Sequence, residues 1–167
     1  MNIRTALARE ADELSSLAWC AKSNWGYSAA QLENWRSELT ITSDSVTRYP
    51  TSVAEEIGQI VGFYQINTSK LPWTLEHLWV RPSVAGRGIG ATLLADAAVR
   101  AAGAGGNFLA IDADPNAEGF YLARGARRIG EIAAPIEGHP DRVRPQMLLD
   151  INQPAQSLER TPMDARR

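Results

Sequence analysis

Three glycines, Gly86, Gly88 and Gly90, alternate with other residues around the start of an apolar run that has helical spacing. Because glycine has no Cβ, a ligand can approach the backbone closely at these positions. The first amide groups of a helix have no carbonyl partner within the helix, and they lie at the positive end of its dipole. The pattern therefore predicts a binding site for an anion, most naturally a phosphate.

Two well-known phosphate motifs do not match this stretch. A dinucleotide-binding fold has G-x-G-x-x-G after its first strand, whereas the glycines here read G-x-G-x-G in the middle of the chain. A nucleotide-hydrolysing P-loop requires Lys followed by Ser or Thr after the last glycine, and Gly90 is followed by Ala91 and Thr92. A tight turn between a strand and a helix, without any ligand, remains an alternative interpretation.

An acidic and an imidazole side chain precede the glycines on a short apolar stretch, Leu75 to Val80, which is predicted to be a mostly buried strand. A carboxylate such as Glu76 costs free energy there unless it is paired or hydrated, which makes it a candidate general base. His77 lies on the opposite side by strand alternation and is the alternative base. His139, in a polar loop, is predicted to lie on the surface.

Around this unit the sequence predicts alternating helices and strands. The elements before it are a strand at Asn2–Ala6, a helix from Asp12 to about Asn24, a helix at Ala29–Leu39 capped by Ser28, a weak strand at Val46–Ala54 and a strong strand at Gln59–Asn67. The elements after it are a helix ending near Gly103, a strand at Phe108–Ala113, a helix at Ala117–Arg124 and a strand pair at Ala126–Ala133 and Gln146–Ile151.

Length and composition favour one domain. The chain of 167 residues is predicted to form a single domain over residues 1–151, and the polar residues 152–167, with two prolines, are predicted to be a disordered tail. A net charge of −2 argues against a general nucleic-acid surface. No apolar run approaches the roughly 20 residues of a membrane span, and the start lacks a signal-peptide core, so we expect no membrane contact and a cytoplasmic protein.

Cysteine chemistry is restricted by composition. Cys20 is the only cysteine, which excludes an internal disulfide and a cysteine-cluster metal site. We interpret it as a buried small hydrophobic residue, and we expect no metal.

Two longer stretches carry a resemblance to a known family. In the first, Val80-Arg81-Pro82 precedes Ala85-Gly86-Arg87-Gly88-Ile89-Gly90, and Leu93-Leu94 follow in the helix. In the second, Asp114 to Ala126, an Asn is followed by Phe120-Tyr121 and a glycine. Together they resemble the two signatures of the GNAT superfamily of N-acetyltransferases, of which the first reads Q/R-x-x-G-x-G/A. Ala85 replaces the initial Gln or Arg, which removes one side chain but no backbone donor.

The resemblance implies a fold and a binding mode. The fold class is α/β (α+β), with a mixed, mostly antiparallel central sheet whose central strands splay apart and are flanked by helices. Acetyl-CoA would be the cosubstrate, with its pantetheine arm added beside the strand and its pyrophosphate on the glycine-rich helix start. The implied cofactor-binding residues are Leu78, Trp79, Val80, Gly86, Arg87, Gly88, Ile89, Gly90, Ala91, Asn116 and Phe120.

The resemblance also implies a reaction. An N-acetyltransferase would move the acetyl group of acetyl-CoA to a primary amine by direct attack, with Glu76 as general base and Tyr121 as the general acid that protonates the CoA thiolate. Tyr121 could instead pack in the core. The loop Trp25-Gly26-Tyr27 would border the acceptor cleft. The partner would be a small-molecule or peptide amine that the sequence does not name, and a homodimer stays open. The rival functions are a non-catalytic acyl-CoA sensor with the same fold and a plain interaction domain.

Overall fold

The computed structural model describes residues 1–152. Its strands are β1 (Asn2–Thr5), β2 (Thr51–Glu56), β3 (Gln59–Asn67), β4 (Trp73–Val80), β5 (Phe108–Asp112), β6 (Arg127–Ala133) and β7 (Val143–Asp150). Its α-helices are α1 (Ala11–Ser23), α2 (Ala29–Asn34), α3 (Arg36–Leu39), α4 (Ser43–Arg48), α5 (Ile89–Gly103) and α6 (Glu118–Leu122). Short 3-10 turns lie at Ala8–Glu10, Pro82–Val84 and Pro115–Ala117.

The strands of residues 1–152 form one seven-stranded sheet in the order β1-β2-β3-β4-β5-β7-β6. Neighbouring strands are antiparallel except β4 and β5, which are parallel. A parallel pair needs a crossover connection, and α5 supplies it between β4 and β5. The predicted mixed, mostly antiparallel sheet flanked by helices is therefore confirmed.

Both faces of the sheet are covered by apolar cores. One core joins α5, through Leu93 and Ala97, to Tyr64 of β3. The other joins α1, through Leu14 and Leu17, to Phe63 of the same strand. Because successive residues of a strand point to opposite faces, Phe63 and Tyr64 anchor the two cores on opposite sides.

The prediction of a strand at Val46–Ala54 is wrong for the first half of this range. Residues Ser43–Arg48 form α4 instead, and Thr42 caps this helix by accepting a hydrogen bond from the Ser45 amide at 3.0 Å. Val46 then packs into the α1 core, and β2 begins only after Pro50. A local cap therefore outweighed the weak β pattern.

Two other predictions need correction. The single helix predicted over Ala29–Leu39 is divided at Trp35 into α2 and α3. Cys20 is exposed rather than buried, because at about 100° per residue it falls outside the α1 stripe formed by Leu14, Leu17, Ala18 and Ala21. His139 is exposed, as predicted.

The predicted C-terminal tail lies outside the described residues from position 153 onward. Within residues 1–152, no helix combines the length and apolar character that crossing a membrane requires.

Candidate active site

The middle of the sheet opens where its parallel strands meet. Among the described residues, β4 pairs with β5 only at Trp73 with Leu109 and Thr74 with Ala110. Beyond this point β5 continues along β7, and β4 stays paired with β3. The strands therefore separate after Thr74 and leave β4 with an unpaired edge. An extended ligand with amide groups can bind such an edge as if it were an added strand.

A β-bulge lies at the start of this gap. In the pairing of β3 with β4, Gln65 is opposite His77 and Ile66 is opposite Leu75, so Glu76 is an extra residue without a partner position. A bulge redirects the side chains around it. Glu76 is accordingly exposed between two buried neighbours, Leu75 in the α5 core and His77 against Phe63.

Two cavities meet at the gap. The first cavity, of about 390 Å³, is lined by Glu76 and His77 of β4 together with side chains from α1, α3 and the start of β7. The second cavity, of about 420 Å³, extends from the end of β4 to the start of α5. Trp25, Leu78, Trp79, Ala117 and Tyr121 line both cavities, so these residues form the boundary between them.

The far end of the second cavity is a row of free amides. Gly86 and Gly88 have φ values of +80° and +82°, a left-handed conformation that strains other residues. Within residues 1–152, none of the backbone N–H groups from Gly86 to Ala91 donates to a protein acceptor. Gly90 packs on Phe120, to whose Cε2 atom an added Cβ would lie at 3.2 Å. This helix start therefore has the donors and the open approach that a phosphate requires.

The second cavity collects most of the predicted cofactor-binding residues. Its lining includes Leu78, Trp79, Val80, Gly86, Gly88, Ile89, Gly90, Ala91, Asn116 and Phe120. Arg87 is not part of the lining. Its guanidinium pairs with Glu56 at 3.1 Å, and its side chain is 55% exposed. The structure thus offers backbone groups at this turn, while the Arg87 side chain is engaged elsewhere.

Tyr121 lies between the two cavities. Its side chain is buried, and its ring packs edge-on against Phe120 with 5.1 Å between the ring centroids. Its hydroxyl makes no hydrogen bond to any residue in the described part of the chain. Burial raises the pKa of the Tyr121 phenol, so the group is protonated at neutral pH. A buried O–H without an internal partner is available to a ligand.

His77 is held in one protonation state. Its Nδ1 atom accepts a hydrogen bond from Trp79 Nε1 at 3.1 Å, and burial lowers its pKa to about 4. An indole N–H can only donate, so Nδ1 must be unprotonated. The neutral imidazole therefore carries its proton on Nε2.

A family comparison identifies this arrangement. The family model described as "Acetyltransferase (GNAT) domain" matches residues 10–134. The chain belongs to the GNAT family of acetyltransferases. The resemblance predicted from the two signatures is therefore confirmed, and the protein is an acyltransferase by family.

Solved structures share the fold of this GNAT domain at low sequence identity. A GCN5-related N-acetyltransferase from Rhodopseudomonas palustris has a TM-score of 0.72 and 23% identity, over 89% of this chain and 94% of that one. The PaiA N-acetyltransferase from Thermoplasma acidophilum, in complex with coenzyme A, has a TM-score of 0.72 and 17% identity, over 89% and 98%. The Salmonella typhimurium protein yncA, with acetyl-CoA, has a TM-score of 0.68 and 18% identity, over 93% and 96%. No curated protein sequence gives a significant match.

A buried polar cluster in the GNAT domain had no signal in the sequence. The Asp114 carboxylate accepts hydrogen bonds from Lys22 Nζ at 2.6 Å, Tyr27 OH at 2.9 Å, Arg142 Nη2 at 3.2 Å and the Asn116 amide at 2.9 Å. Burial alone would raise the pKa of Asp114, but the hydrogen bond and charge of Lys22 and the other donors hold it below its ordinary value. Lys22, Tyr27 and Arg142 are distant from Asp114 in sequence, so the sequence marks Asp114 only as the first residue of the second family-like stretch.

This Asp114 cluster joins three parts of the molecule. Lys22 belongs to α1, Arg142 precedes β7, and Asp114 begins the turn that leads through Asn116 to α6. The Lys22 ammonium also lies 4.4 Å from the centroid of the Trp35 ring, which is a cation–π contact. The cluster therefore positions both the wall of the first cavity and the turn that carries Asn116.

Replacing Tyr27 by Phe should lower the free energy of unfolding by about 1.5–3 kcal/mol, because its hydroxyl hydrogen-bonds to a buried carboxylate. Urea denaturation followed by circular dichroism measures this change. The matched control is Tyr49→Phe, since the Tyr49 hydroxyl makes no hydrogen bond within residues 1–152, and we expect a change within about 0.5 kcal/mol. Equal effects of the two substitutions would contradict a structural role for the cluster.

Proposed function

We propose that this GNAT domain transfers the acetyl group of acetyl-CoA to a primary amine by direct attack. The observation that carries the proposal is the meeting of two cavities at the β4–β5 gap, one of which ends in the row of free amides from Gly86 to Ala91. The second cavity would hold acetyl-CoA, and the first cavity would hold the acceptor amine.

The binding groups for acetyl-CoA would be mostly backbone atoms. The free amides at the start of α5 would bind the pyrophosphate, where the helix dipole contributes about 0.3–1 kcal/mol. The unpaired edge of β4 near Leu78 to Val80 would pair with the amides of the pantetheine arm. Asn116 lines the same cavity, and its side-chain amide donates to Tyr27 OH and Asp114, which fixes its orientation. These features support the binding mode that the family resemblance implies.

Glu76 would be the general base. An alkylammonium has a pKa near 10 and must lose a proton before its nitrogen can attack a thioester. The carboxylate lines the first cavity in an exposed position at the bulge, where it can take that proton directly or through a water. His77 is a poor alternative, because its Nδ1 lone pair is used by Trp79 and its Nε2 atom already carries a proton.

Tyr121 would be the general acid. Attack by the amine leaves a sulfur anion at the boundary between the two cavities, where the Tyr121 side chain lies. Its free hydroxyl can donate a hydrogen bond as charge develops on sulfur and then supply the proton. The raised pKa keeps this proton on the phenol until it is needed.

Calorimetric titration with acetyl-CoA should show micromolar binding that depends on the glycine turn. Gly88→Ala should weaken this binding by about tenfold, because a Cβ at φ +82° strains the turn that presents the amides. Gly105→Ala is the matched control, since Gly105 has φ +93° just after the last residue of α5, at the opposite end of this helix from Gly88. A folded protein that binds no acetyl-CoA up to millimolar concentration would refute the proposal.

A measurement of turnover distinguishes an enzyme from the alternative, a non-catalytic acyl-CoA sensor. An enzyme releases one CoA thiol for each acetyl group moved to an amine, whereas a sensor would bind acetyl-CoA and consume none across a panel of amines. Because Cys20 is exposed, a thiol reagent will also react with the protein, and the background without amine must be subtracted.

A further inference from the structure

His77 has an unused hydrogen-bond donor that faces the first cavity. The residue is 9% exposed and lines this cavity, and its ring packs against Phe63 with 6.0 Å between the centroids. With Nδ1 occupied by Trp79, the imidazole presents Nε2–H, which has no partner among residues 1–152. Nε2 is not among the side-chain atoms of residues 1–152 that are both fully buried and without a partner, so this N–H keeps some accessible surface on a residue that lines the cavity. It can donate a hydrogen bond but cannot accept one.

The wall of the first cavity is acidic. It contains Glu38, Glu76, Asp112 and Asp114 but only two cationic side chains, Lys22 and Arg144. Both cations are already engaged, Lys22 with Asp114 at 2.6 Å and Arg144 with Asp112 at 3.1 Å. Glu38 and Glu76 have no ion-pair partner in the described part of the chain. The wall therefore favours a cationic acceptor and disfavours one with a carboxylate near its amine.

We propose that His77 Nε2–H donates a hydrogen bond to a neutral oxygen of the acceptor, next to the amine that Glu76 deprotonates. This inference rests on the proposed function. Glu76 and His77 are adjacent in sequence and line the same cavity, so one small acceptor can present its amine to Glu76 and a neighbouring oxygen to His77. The substrate class is an amine with a nearby hydroxyl, ether or amide oxygen and without an adjacent carboxylate.

The donor acts as a specificity-determining group. An acceptor without the oxygen leaves the buried N–H unpaired after water has been displaced, and a site with a buried unpaired donor rejects such a substrate. A plain alkylamine can still reach Glu76, so it is expected to react with lower kcat/KM rather than not at all.

A comparison of two amines of equal size in three proteins tests this contact. Ethanolamine carries the oxygen, and propylamine has a methyl group in its place. The ratio of their kcat/KM values should fall about five- to tenfold in His77→Leu relative to the unsubstituted protein. His77→Gln should keep most of the preference, because the Gln amide N–H lies near the position of Nε2. The different basicities of the two amines cancel when ratios are compared between proteins. Equal ratios in all three proteins would overturn the proposal.

A second measurement needs no turnover. The chain has 2 histidines, so ¹⁵N-histidine NMR gives two sets of ring signals, and His139→Gln assigns them. We expect the His77 proton on Nε2, and we expect ethanolamine, but not propylamine, to shift this signal in the CoA-bound protein. A proton on Nδ1, or equal responses to both amines, would overturn the proposal. Failure of the proposed function looks different, because acetyl-CoA would then either not bind or bind without being consumed in the presence of any amine.

Discussion

Replacing Glu76 by Gln should lower the turnover of acetyl-CoA with a primary amine by about 100-fold or more. The amide has the shape of the carboxylate but cannot take the ammonium proton. The Glu76 side chain is exposed and makes no hydrogen bond within residues 1–152, so unfolding free energy and acetyl-CoA affinity should stay nearly unchanged. Steady-state release of CoA thiol, together with calorimetry, measures all three effects.

Glu38→Gln is the matched control for this substitution. It removes a second carboxylate from the wall of the same cavity, so it reproduces the change in charge without touching the proposed base. We expect it to change turnover by only a few-fold. If Glu76→Gln retains near-full activity while His77→Ala loses it, the base is His77 and the assignment is wrong.

Replacing Tyr121 by Phe should lower turnover by one to several powers of ten, because the leaving thiolate loses its proton donor. The substitution keeps the ring and its edge-on contact with Phe120. It breaks no internal hydrogen bond of the described residues, so thermal stability and CoA binding should hold. Rapid-mixing measurements of the first turnover are required, since slow product release would conceal a slower chemical step.

Unchanged turnover in Tyr121→Phe, with chemistry shown to be rate-limiting, would return this residue to a packing role. The pH dependence gives a further check on the same prediction. An ordinary tyrosine has a pKa near 10, and burial raises the pKa of Tyr121 above that value. Loss of its proton should therefore not reduce activity in the neutral range or up to about pH 10.

The parts of the site predicted from the sequence are those that local patterns determine. The start of α5 is local, because its glycines and helical spacing lie within a few residues of one another. Most of the residues assigned to the cofactor through the family resemblance do line one cavity, since they lie on β4, the α5 turn and α6. The ion pair of Arg87 with Glu56 was not predicted, because Glu56 lies on β2, far from Arg87 in sequence.

The parts that were missed depend on pairing between distant segments. The bulge at Glu76 exists only in the register of β4 against β3, so strand alternation alone could not show it. It explains why Leu75 and His77, two residues apart, lie against different cores. The Asp114 cluster likewise joins residues that are 92 and 28 positions apart, at Lys22 and Arg142.

The short parallel pairing of β4 with β5 is the weakest backbone connection within the sheet. Its two antiparallel halves, β1 to β4 and β5 to β7, share backbone hydrogen bonds only near Thr74 among the described residues, so side-chain packing in the core that contains Leu75, Leu109 and Met147 must hold them together. At the open end of the gap, an ion pair connects Lys22 of α1 with Asp114, which follows β5. Because the pKa of Asp114 is lowered, this ion pair is fully formed above the ordinary aspartate range and is lost as acid protonates the carboxylate. Burial also lowers the pKa of Lys22, so in alkali the ion pair is lost at a lower pH than an ordinary lysine would require.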